Sequence, residues 1–197
     1  MTTRLHLLCS ASTLSTRGAA FPKDAPIDEM GRKGLSKFSG RAPSCDEALR
    51  SPALCAAQTA EGLALDAMPE SALRDCDFGR WAGRALTEIQ SQEPDALAEW
   101  LRNPEAAPHG GESFAVVMKR IGGWMDDLPA ESRSILAITH AAVIRAAIAH
   151  ALGAGPHAVL HVDVAPLTRV MISGGAGRWR LGAIIPVKDA QKAMGAG

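Results

Sequence analysis

The chain has 197 residues, of which 47% are hydrophobic and 21% are charged, and these values are ordinary for a globular protein. Its 21 basic and 21 acidic residues give a formal net charge of zero, so it lacks the basic surplus with which nucleic-acid and acidic-membrane binders meet phosphates. No apolar run approaches the roughly 18 residues of a membrane span.

The length predicts one domain over residues 1–197. The apolar stretch "LHLLC" after Arg4 is too short for a signal peptide, so we expect a cytoplasmic protein with reduced thiols. The spacing of its four cysteines matches no zinc or redox motif, and we expect neither a metal nor a cofactor.

The first half of the chain opens with a buried strand at Leu5–Cys9, followed by the turn "SASTLSTRG". Asp28 is a candidate cap for a helix that runs from Met30 to Phe38. A short strand then leads into "SPALCAAQTA", where Ser51 is predicted as the N-cap and Pro52 as the first helical residue. The stretch "SALRDCDFGRWAG" resembles a strand that runs into a glycine-punctuated loop.

The second half continues the alternation, with a short helix at "DALAEWLRN" and an amphipathic helix at "ESFAVVMKRIGGWMDDL". "SILAIT" is predicted as a central strand covered on both faces, and a helix follows from His140 to Gly153. "LTRVMISGG" and "RWRLGAII" predict a closing pair of strands, and a disordered tail is expected from about residue 188.

Strands that alternate with helices predict an α/β protein with a mostly parallel sheet. Ligands of such sheets bind beyond the carboxyl ends of the strands. This rule indicates four candidate stretches, which are residues 9–17, residues 50–55, residues 75–81 and Thr139–His140.

Five motifs in order resemble those of the histidine phosphatase superfamily, the phosphoglycerate-mutase-like fold. They are "DAPIDEMGRKGL", "SPALCAAQTA", "LRDCDFGRWAG", "HGGESF" and "ITHAAVIRAAIAHALG". The resemblance covers nearly the whole chain. It implies a three-layer α/β/α sandwich with a mixed, mostly parallel sheet, in which Leu5–Cys9 and Ile135–Thr139 are neighbouring strands.

The resemblance also implies where the family's catalytic groups would stand. In the family, the first strand ends in Arg-His-Gly-Glu-Thr, and that run falls here on Cys9, Ser10, Ala11, Ser12 and Thr13. The family's nucleophilic histidine is therefore replaced by Ser10. Its two phosphate-clamping arginines are replaced by Cys9 and Cys55, its proton donor corresponds to Asp75, and its second histidine is kept as His140.

These losses favour a non-catalytic family member, or pseudoenzyme, because phosphoryl transfer depends on positive charge around the equatorial oxygens. Such a member would bind a small molecule, anionic or neutral, or a partner protein. The alternative is a phosphatase or other hydrolase of a small phosphorylated metabolite, with Ser10 or Cys9 acting beside His140 and Asp75. Neither reading implies nucleic acid or a membrane.

The candidate pocket contains Cys9, Ser10, Arg17, Arg50, Ser51, Cys55, Asp75, Thr139 and His140. Arg17 and Arg50 either replace a lost arginine or are ordinary solvated side chains, as most arginines are. Cys9 and Cys55 either fill space as small hydrophobes, hold a metal with His140 and Asp75, or place a thiolate near the histidine. The first of these three is favoured.

Two further residues carry weaker predictions. His109, beside "GGES", is a candidate for the pocket rim. Trp100 is predicted to pack rather than to serve as a stacking platform.

Overall fold

The computed structural model describes residues 2–38 and 43–186. Its strands are β1 (Thr3–Cys9), β2 (Glu47–Arg50), β3 (Met68–Pro69), β4 (Ser134–Thr139), β5 (Arg169–Gly175) and β6 (Arg178–Ile185). Its helices are α1 (Leu14–Arg17), α2 (Glu29–Phe38), α3 (Leu54–Gly62), α4 (Leu86–Gln92), α5 (Pro94–Arg102), α6 (Phe114–Asp127) and α7 (Ala141–Ala151). Short 3₁₀ turns lie at Ser71–Leu73, Gly79–Trp81 and Pro156–His161.

The strands form one sheet in the order β3-β2-β4-β1-β5-β6. The first four in this order are parallel to one another, and β5 and β6 pair antiparallel at the other side. Leu5 pairs with Ile135 and Cys9 with Thr139, which confirms that these two strands are neighbours in the sheet. The predicted mixed, mostly parallel α/β sheet is also confirmed.

Two apolar clusters lie on opposite faces of the sheet, because successive side chains of a strand point to opposite sides. Leu7 of β1 belongs to the cluster that contains the buried residues of α6 and α7. Leu8 belongs to the cluster that contains Leu35 of α2 and Ala56 of α3. The sheet is therefore the middle of three layers.

Several helix boundaries agree with the sequence. Asp28 Oδ1 accepts a hydrogen bond from Gly31 N at 2.7 Å, so it caps α2 as expected. α7 begins directly after His140.

No helix in the described part of the chain combines the length and the apolar character needed to cross a bilayer. The predicted disordered tail lies outside the described residues.

The predicted start of α3 is wrong. The helix begins at Leu54 with Ala53 as its N-cap, and no side chain of that residue caps it. Instead, Leu54 N donates to Asp24 Oδ1 at 2.8 Å, from a loop thirty residues earlier. Ser51 lies before the helix, where its Oγ accepts from Ala53 N at 3.2 Å and contacts His140 Nε2 at 2.8 Å.

The strand predicted at "SALRDC" is also wrong, because this segment forms a 3₁₀ turn at Ser71–Leu73 and then a loop. The guanidinium of Arg120 donates to the carbonyls of Ala72 at 2.6 Å, Arg74 at 3.0 Å and Asp75 at 3.3 Å. These carbonyls therefore bind a side chain rather than a neighbouring strand.

Candidate ligand site at the carboxyl edge of the sheet

The turn that follows β1 is joined to the next strand and to α3 by hydrogen bonds. Ser10 N donates to Thr139 O at 2.8 Å, which links the carboxyl ends of β1 and β4. Ala11 N donates to Thr59 Oγ1 of α3 at 3.0 Å. The position of the Ser10 side chain is therefore set by both the sheet and a helix.

The same turn is bound to α2 through a buried carboxylate. Asp28 accepts from Ser12 Oγ at 2.8 Å and pairs with Arg17 at 3.3 Å. Burial alone would raise the pKa of Asp28, but the hydrogen bonds from Gly31 N and Ser12 Oγ and the charge of Arg17 together lower it. The Arg17 side chain is 53% exposed and does not line the cleft, because its partner lies outside it.

His140 is a buried residue at the N-cap position of α7. Its Nε2 lies 2.8 Å from Ser51 Oγ, and its Nδ1 lies 3.4 Å from Asp75 Oδ2. Burial would lower the pKa of His140, but the Asp75 carboxylate and the Cys55 side chain outweigh burial and raise it. Both ring nitrogens are thus engaged by neighbouring side chains.

A charged cluster beneath the site holds the loop that carries Asp75. Glu112 pairs with Arg120 at 2.9 Å and with Arg74 at 2.7 Å, and both Glu112 and Arg120 are largely buried. Since Arg120 also binds the Asp75 carbonyl, the cluster fixes this loop against α6. A buried charge that is paired in this way tolerates little displacement.

Cys9 and Cys55, which the resemblance places at the positions of the family's two arginines, are buried and free. Cys55 Sγ lies 3.7 Å from Ser10 Oγ. Burial, the Asp75 carboxylate and the neighbouring Cys55 raise the pKa of Cys9 to about 12, so its thiol stays protonated at neutral pH. This argues against the predicted thiolate alternative at Cys9.

The metal alternative also finds no support. Over residues 2–38 and 43–186, no three histidine, cysteine or acidic side chains are grouped as metal ligands.

A cleft with two lobes opens above these residues. The polar lobe has a volume of about 300 Å³ and the apolar lobe about 630 Å³. Both are lined by Ser10, Thr16, Pro22, Asp75, Phe78 and His140. The polar lobe adds Thr13, Lys23, Asp24, Ala53, Cys55, Cys76, Asp77 and Ala82. The apolar lobe adds Cys9, Ala19, Ala20, Phe21, Leu86, Gln90, Leu97, Trp100, Leu101, Ala141, Ala142, Arg145, Val164 and Pro166.

Carboxylates outnumber cations in the polar lobe. Asp24, Asp75 and Asp77 line it, whereas Lys23 is the one lysine or arginine among its described lining residues. His140 adds positive charge only when it is protonated. The lobe is therefore a poor environment for a dianion.

The structure brings five of the nine predicted pocket residues to the cleft, namely Cys9, Ser10, Cys55, Asp75 and His140. A role for them in ligand binding stays a prediction. The other four do not line it, and Arg17 has been described above.

Each of the remaining three is held elsewhere by a hydrogen bond. Ser51 is fully buried beneath His140. Thr139 Oγ1 donates to Leu73 O at 2.6 Å, and Arg50 Nη1 donates to Ser51 O at 3.1 Å.

His109 is also absent from the cleft lining. It is buried against the rings of Phe78 and Trp81, and its Nδ1 accepts from Gly111 N at 3.1 Å.

Asp24 and Arg145 were not predicted for the site, Asp77 was predicted only as part of the candidate stretch 75–81, and Trp100 was predicted only as a core residue. No local sequence pattern predicts a role for Asp24, because its carboxylate accepts from the first residue of a helix thirty residues later in the chain. Arg145 lies four residues after Ala141 on α7, and this spacing places both on one helix face. That spacing was the available signal for Arg145. Trp100 packs against the core as predicted, and it also lines the apolar lobe.

The arrangement of the sheet, the turn after β1 and His140 at the start of α7 is that of one known superfamily. The sequence matches the family model of the histidine phosphatase superfamily, branch 1, over residues 10–184, and the chain belongs to this superfamily.

Individual relatives are phosphatases or larger proteins. A glucosyl-3-phosphoglycerate phosphatase from mycobacteria has a TM-score of 0.78 at 25% identity, covering 91% of this chain and 97% of that one. An α-ribazole phosphatase from Shigella flexneri has a TM-score of 0.78 at 21% identity, covering 94% and 99%, and this likeness shows the fold.

A bifunctional protein of Mycobacterium tuberculosis is 32% identical over 117 residues. The match covers 57% of this chain and 32% of that protein, so the chain spans about a third of the length of this relative.

Proposed function

We propose that this chain is a non-catalytic member of the histidine phosphatase superfamily that binds a small organic molecule in its cleft. The observation that carries the proposal is the cleft itself. It is open, yet the residues at the positions of the nucleophile and of both phosphate clamps are Ser10, Cys9 and Cys55.

The charge of the polar lobe supports this proposal. Phosphoryl transfer needs preorganised cations around the transferring group, because charge develops on its oxygens in the transition state. Here a phosphate would meet Asp24, Asp75 and Asp77 with Lys23 as the only opposing lysine or arginine in the described lining. A fork of guanidinium donors, which binds phosphate in a bidentate manner, is missing from the described residues of this lobe.

Neither of the two candidate replacement arginines compensates. Arg17 is paired with the buried carboxylate of Asp28, and Arg50 donates to the carbonyl of Ser51. Moving Arg17 into the cleft would leave the buried Asp28 without its cation. Moving Arg50 would break its hydrogen bond to the Ser51 carbonyl.

A second candidate function is a hydrolase with altered chemistry. It is favoured by His140, which lies between an aspartate and a serine hydroxyl as the general base of a serine hydrolase does. The serine in question is Ser51, which is fully buried and does not line the cleft. Ser10, which does line it, contacts the sulfur of Cys55 rather than the imidazole. This second function is therefore less well supported.

The test is turnover of 4-nitrophenyl phosphate and 4-nitrophenyl acetate by the wild-type chain, His140→Ala and Ser10→Ala. We expect none of the three proteins to release nitrophenol above the rate of a protein-free blank. A His161→Ala control, whose exposed residue lies outside the cleft lining, should release nitrophenol at the same rate as the wild-type chain. Each 1.36 kcal/mol of lost transition-state stabilisation lowers the rate about tenfold, and the nucleophile and two clamps are missing.

Phosphate release at enzyme-like rates that disappears in Ser10→Ala or His140→Ala would overturn the proposal. Acetate release that depends on His140 would instead support the second candidate.

A further inference from the structure

Two residues that line the apolar lobe each carry a buried hydrogen-bond donor without a partner. Arg145 Nε and Trp100 Nε1 are both buried, and neither has a hydrogen-bond acceptor among the described residues. Both residues line the lobe. A buried donor without an acceptor is unfavourable, so a small rotation of either side chain that turns its donor towards an acceptor in the lobe would be favourable.

The guanidinium of Arg145 also lacks a counter-ion. Within residues 2–38 and 43–186 no carboxylate forms an ion pair with it, although the side chain is half-buried. Its Nε is buried, whereas its Nη atoms are not among the buried unpartnered atoms of the described residues, so the charged end of the side chain is open to an incoming anion. An anionic acceptor would satisfy both the charge and the free donors.

The rest of the apolar lobe is suited to a hydrophobic body. Phe21, Leu97, Trp100, Val164 and Pro166 contribute apolar surface, and the volume of about 630 Å³ is that of a typical small-molecule site. Water inside such a surface gains few hydrogen bonds and is favourably displaced by an apolar group.

Charge restricts the ligand to a single negative group. Arg145 is the only arginine or lysine among the described residues that line this lobe, and Asp75 lies at the boundary with the polar lobe. One guanidinium balances one carboxylate, with which it forms two parallel hydrogen bonds. A phosphate dianion would keep an uncompensated charge close to Asp75.

We propose that the apolar lobe binds an organic monocarboxylate with an apolar body, whose carboxylate accepts from Arg145 and Trp100. The proposal rests on the non-catalytic function proposed above and names the ligand class for it. The anion-binding point would then lie on α7, away from the polar lobe in which Ser10 and Cys55 stand.

Binding of three probes to the wild-type chain tests this without any substitution. The probes are 4-phenylbutyrate, its neutral amide 4-phenylbutyramide, and 3-phenylpropyl phosphate, which carry the same phenylpropyl body. By isothermal titration calorimetry we expect the carboxylate to bind about 10–100-fold more tightly than the amide, since hydrogen bonds to a charged group contribute about 1.5–3 kcal/mol. Equal binding of carboxylate and amide, or tighter binding of the phosphate, would overturn the proposal.

Variants locate the binding point. Arg145→Gln should weaken 4-phenylbutyrate binding about 10–100-fold and leave the affinity for the amide unchanged, because the lost interaction is with a charged group. Trp100→Phe keeps the ring and removes one neutral donor, so it should weaken carboxylate binding only about 2–10-fold. The matched control is Arg178→Gln, an exposed arginine outside the cleft lining, which should bind as the wild type does.

Thermal denaturation shows whether each variant is folded. If Arg145→Gln does not fold, the probe series on the wild-type chain and Trp100→Phe decide the question. An Arg145→Gln variant that folds and binds 4-phenylbutyrate as tightly as the wild type does would contradict the assignment.

The two proposals fail in different ways. Hydrolysis of 3-phenylpropyl phosphate by the wild-type chain would overturn the non-catalytic function. The absence of hydrolysis together with no preference for the carboxylate would overturn only the ligand class.

Discussion

At the scale of single residues, His140 joins the separate parts of the candidate site. It contacts Ser51 below the cleft and Asp75 across it, and it begins α7. The Asp75 carboxylate and the Cys55 side chain raise its pKa in spite of burial. The proton on this imidazole is therefore held more tightly in the folded chain than in the unfolded one.

This raised pKa predicts how stability depends on pH. A group whose folded pKa exceeds its unfolded value, about 6.5 for histidine, contributes stability below that pH and loses it as the pH rises through the folded pKa. We therefore expect the difference in free energy of unfolding between wild type and His140→Gln to shrink from pH 6 towards alkaline pH. At pH 6 it should be about 1–3 kcal/mol, because Ser51 and Asp75 lose a buried partner.

Urea denaturation at a series of pH values measures this difference. The pKa values of His6 and His109 are lowered, chiefly by burial, and both residues are present in wild type and variant, so their contribution cancels. His161→Gln serves as the control at an exposed histidine. A difference that grows as the pH rises would show that the pKa of His140 is lowered rather than raised.

At the scale of elements, the site depends on how closely α2 approaches the turn after β1. A Cβ atom on Gly31 would lie 2.6 Å from the carbonyl oxygen of Ser12, which is backbone and cannot rotate away. In contrast, a Cβ on Gly123 in α6 would meet nothing within 4 Å. Glycine is therefore required by close packing at position 31 but not at position 123.

Alanine at these two glycines should have opposite effects on stability. Gly123→Ala should raise the free energy of unfolding by about 0.5–1 kcal/mol, the ordinary preference of a helix for alanine. Gly31→Ala should lower it by about 1–3 kcal/mol, because the steric contact exceeds that preference. Thermal or urea denaturation compares both with wild type. A stabilised Gly31→Ala would mean that α2 lies further from the turn than the structure shows.

At the scale of the whole molecule, the chain keeps the sheet and the helix starts that position phosphate-binding groups in this superfamily. Four residues that the resemblance assigns to catalytic positions of the family line one cleft, namely Ser10, Cys55, Asp75 and His140. They are positioned there by the sheet, by the turn after β1 and by the starts of α3 and α7. The resemblance places Cys9 and Cys55 at the positions of the family's two arginines, and these neutral thiols would leave less positive charge there. Restoring the missing groups should therefore restore affinity for phosphate.

The restoring variant combines Cys9→Arg, Ser10→His, Ala11→Gly and Cys55→Arg. We expect it to bind inorganic phosphate at least tenfold more tightly than the wild type in titration calorimetry, since each charge-assisted hydrogen bond contributes about 1.5–3 kcal/mol. The control adds the same two charges at exposed sites outside the cleft lining, as Ser132→Arg with Leu152→Arg, and should leave phosphate binding unchanged. A folded restoring variant with wild-type affinity would show that these positions do not converge on a phosphate site.

The alternation of strands and helices, and with it the edge of the sheet that carries the cleft, could be predicted from the residues alone, whereas the three layers and the pairing of β1 with β4 were implied by the family resemblance. Periodicity and apolar runs such as "SILAIT" are local properties, and the carboxyl ends of parallel strands necessarily meet at one edge. For that reason the ends of β1 and β4, with Ser10 and His140, could be placed before the structure was known.

Which side chains contact one another across that edge could be seen only in the folded chain. Asp24 caps α3, Arg120 binds the carbonyls of the Asp75 loop, and Arg17 is held by Asp28, all through contacts between distant parts of the chain. The free donors of Arg145 and Trp100 likewise emerge only once their neighbours are in place. Such contacts depend on the path of the whole backbone and on rotamers chosen during packing, and no local pattern of residues encodes either.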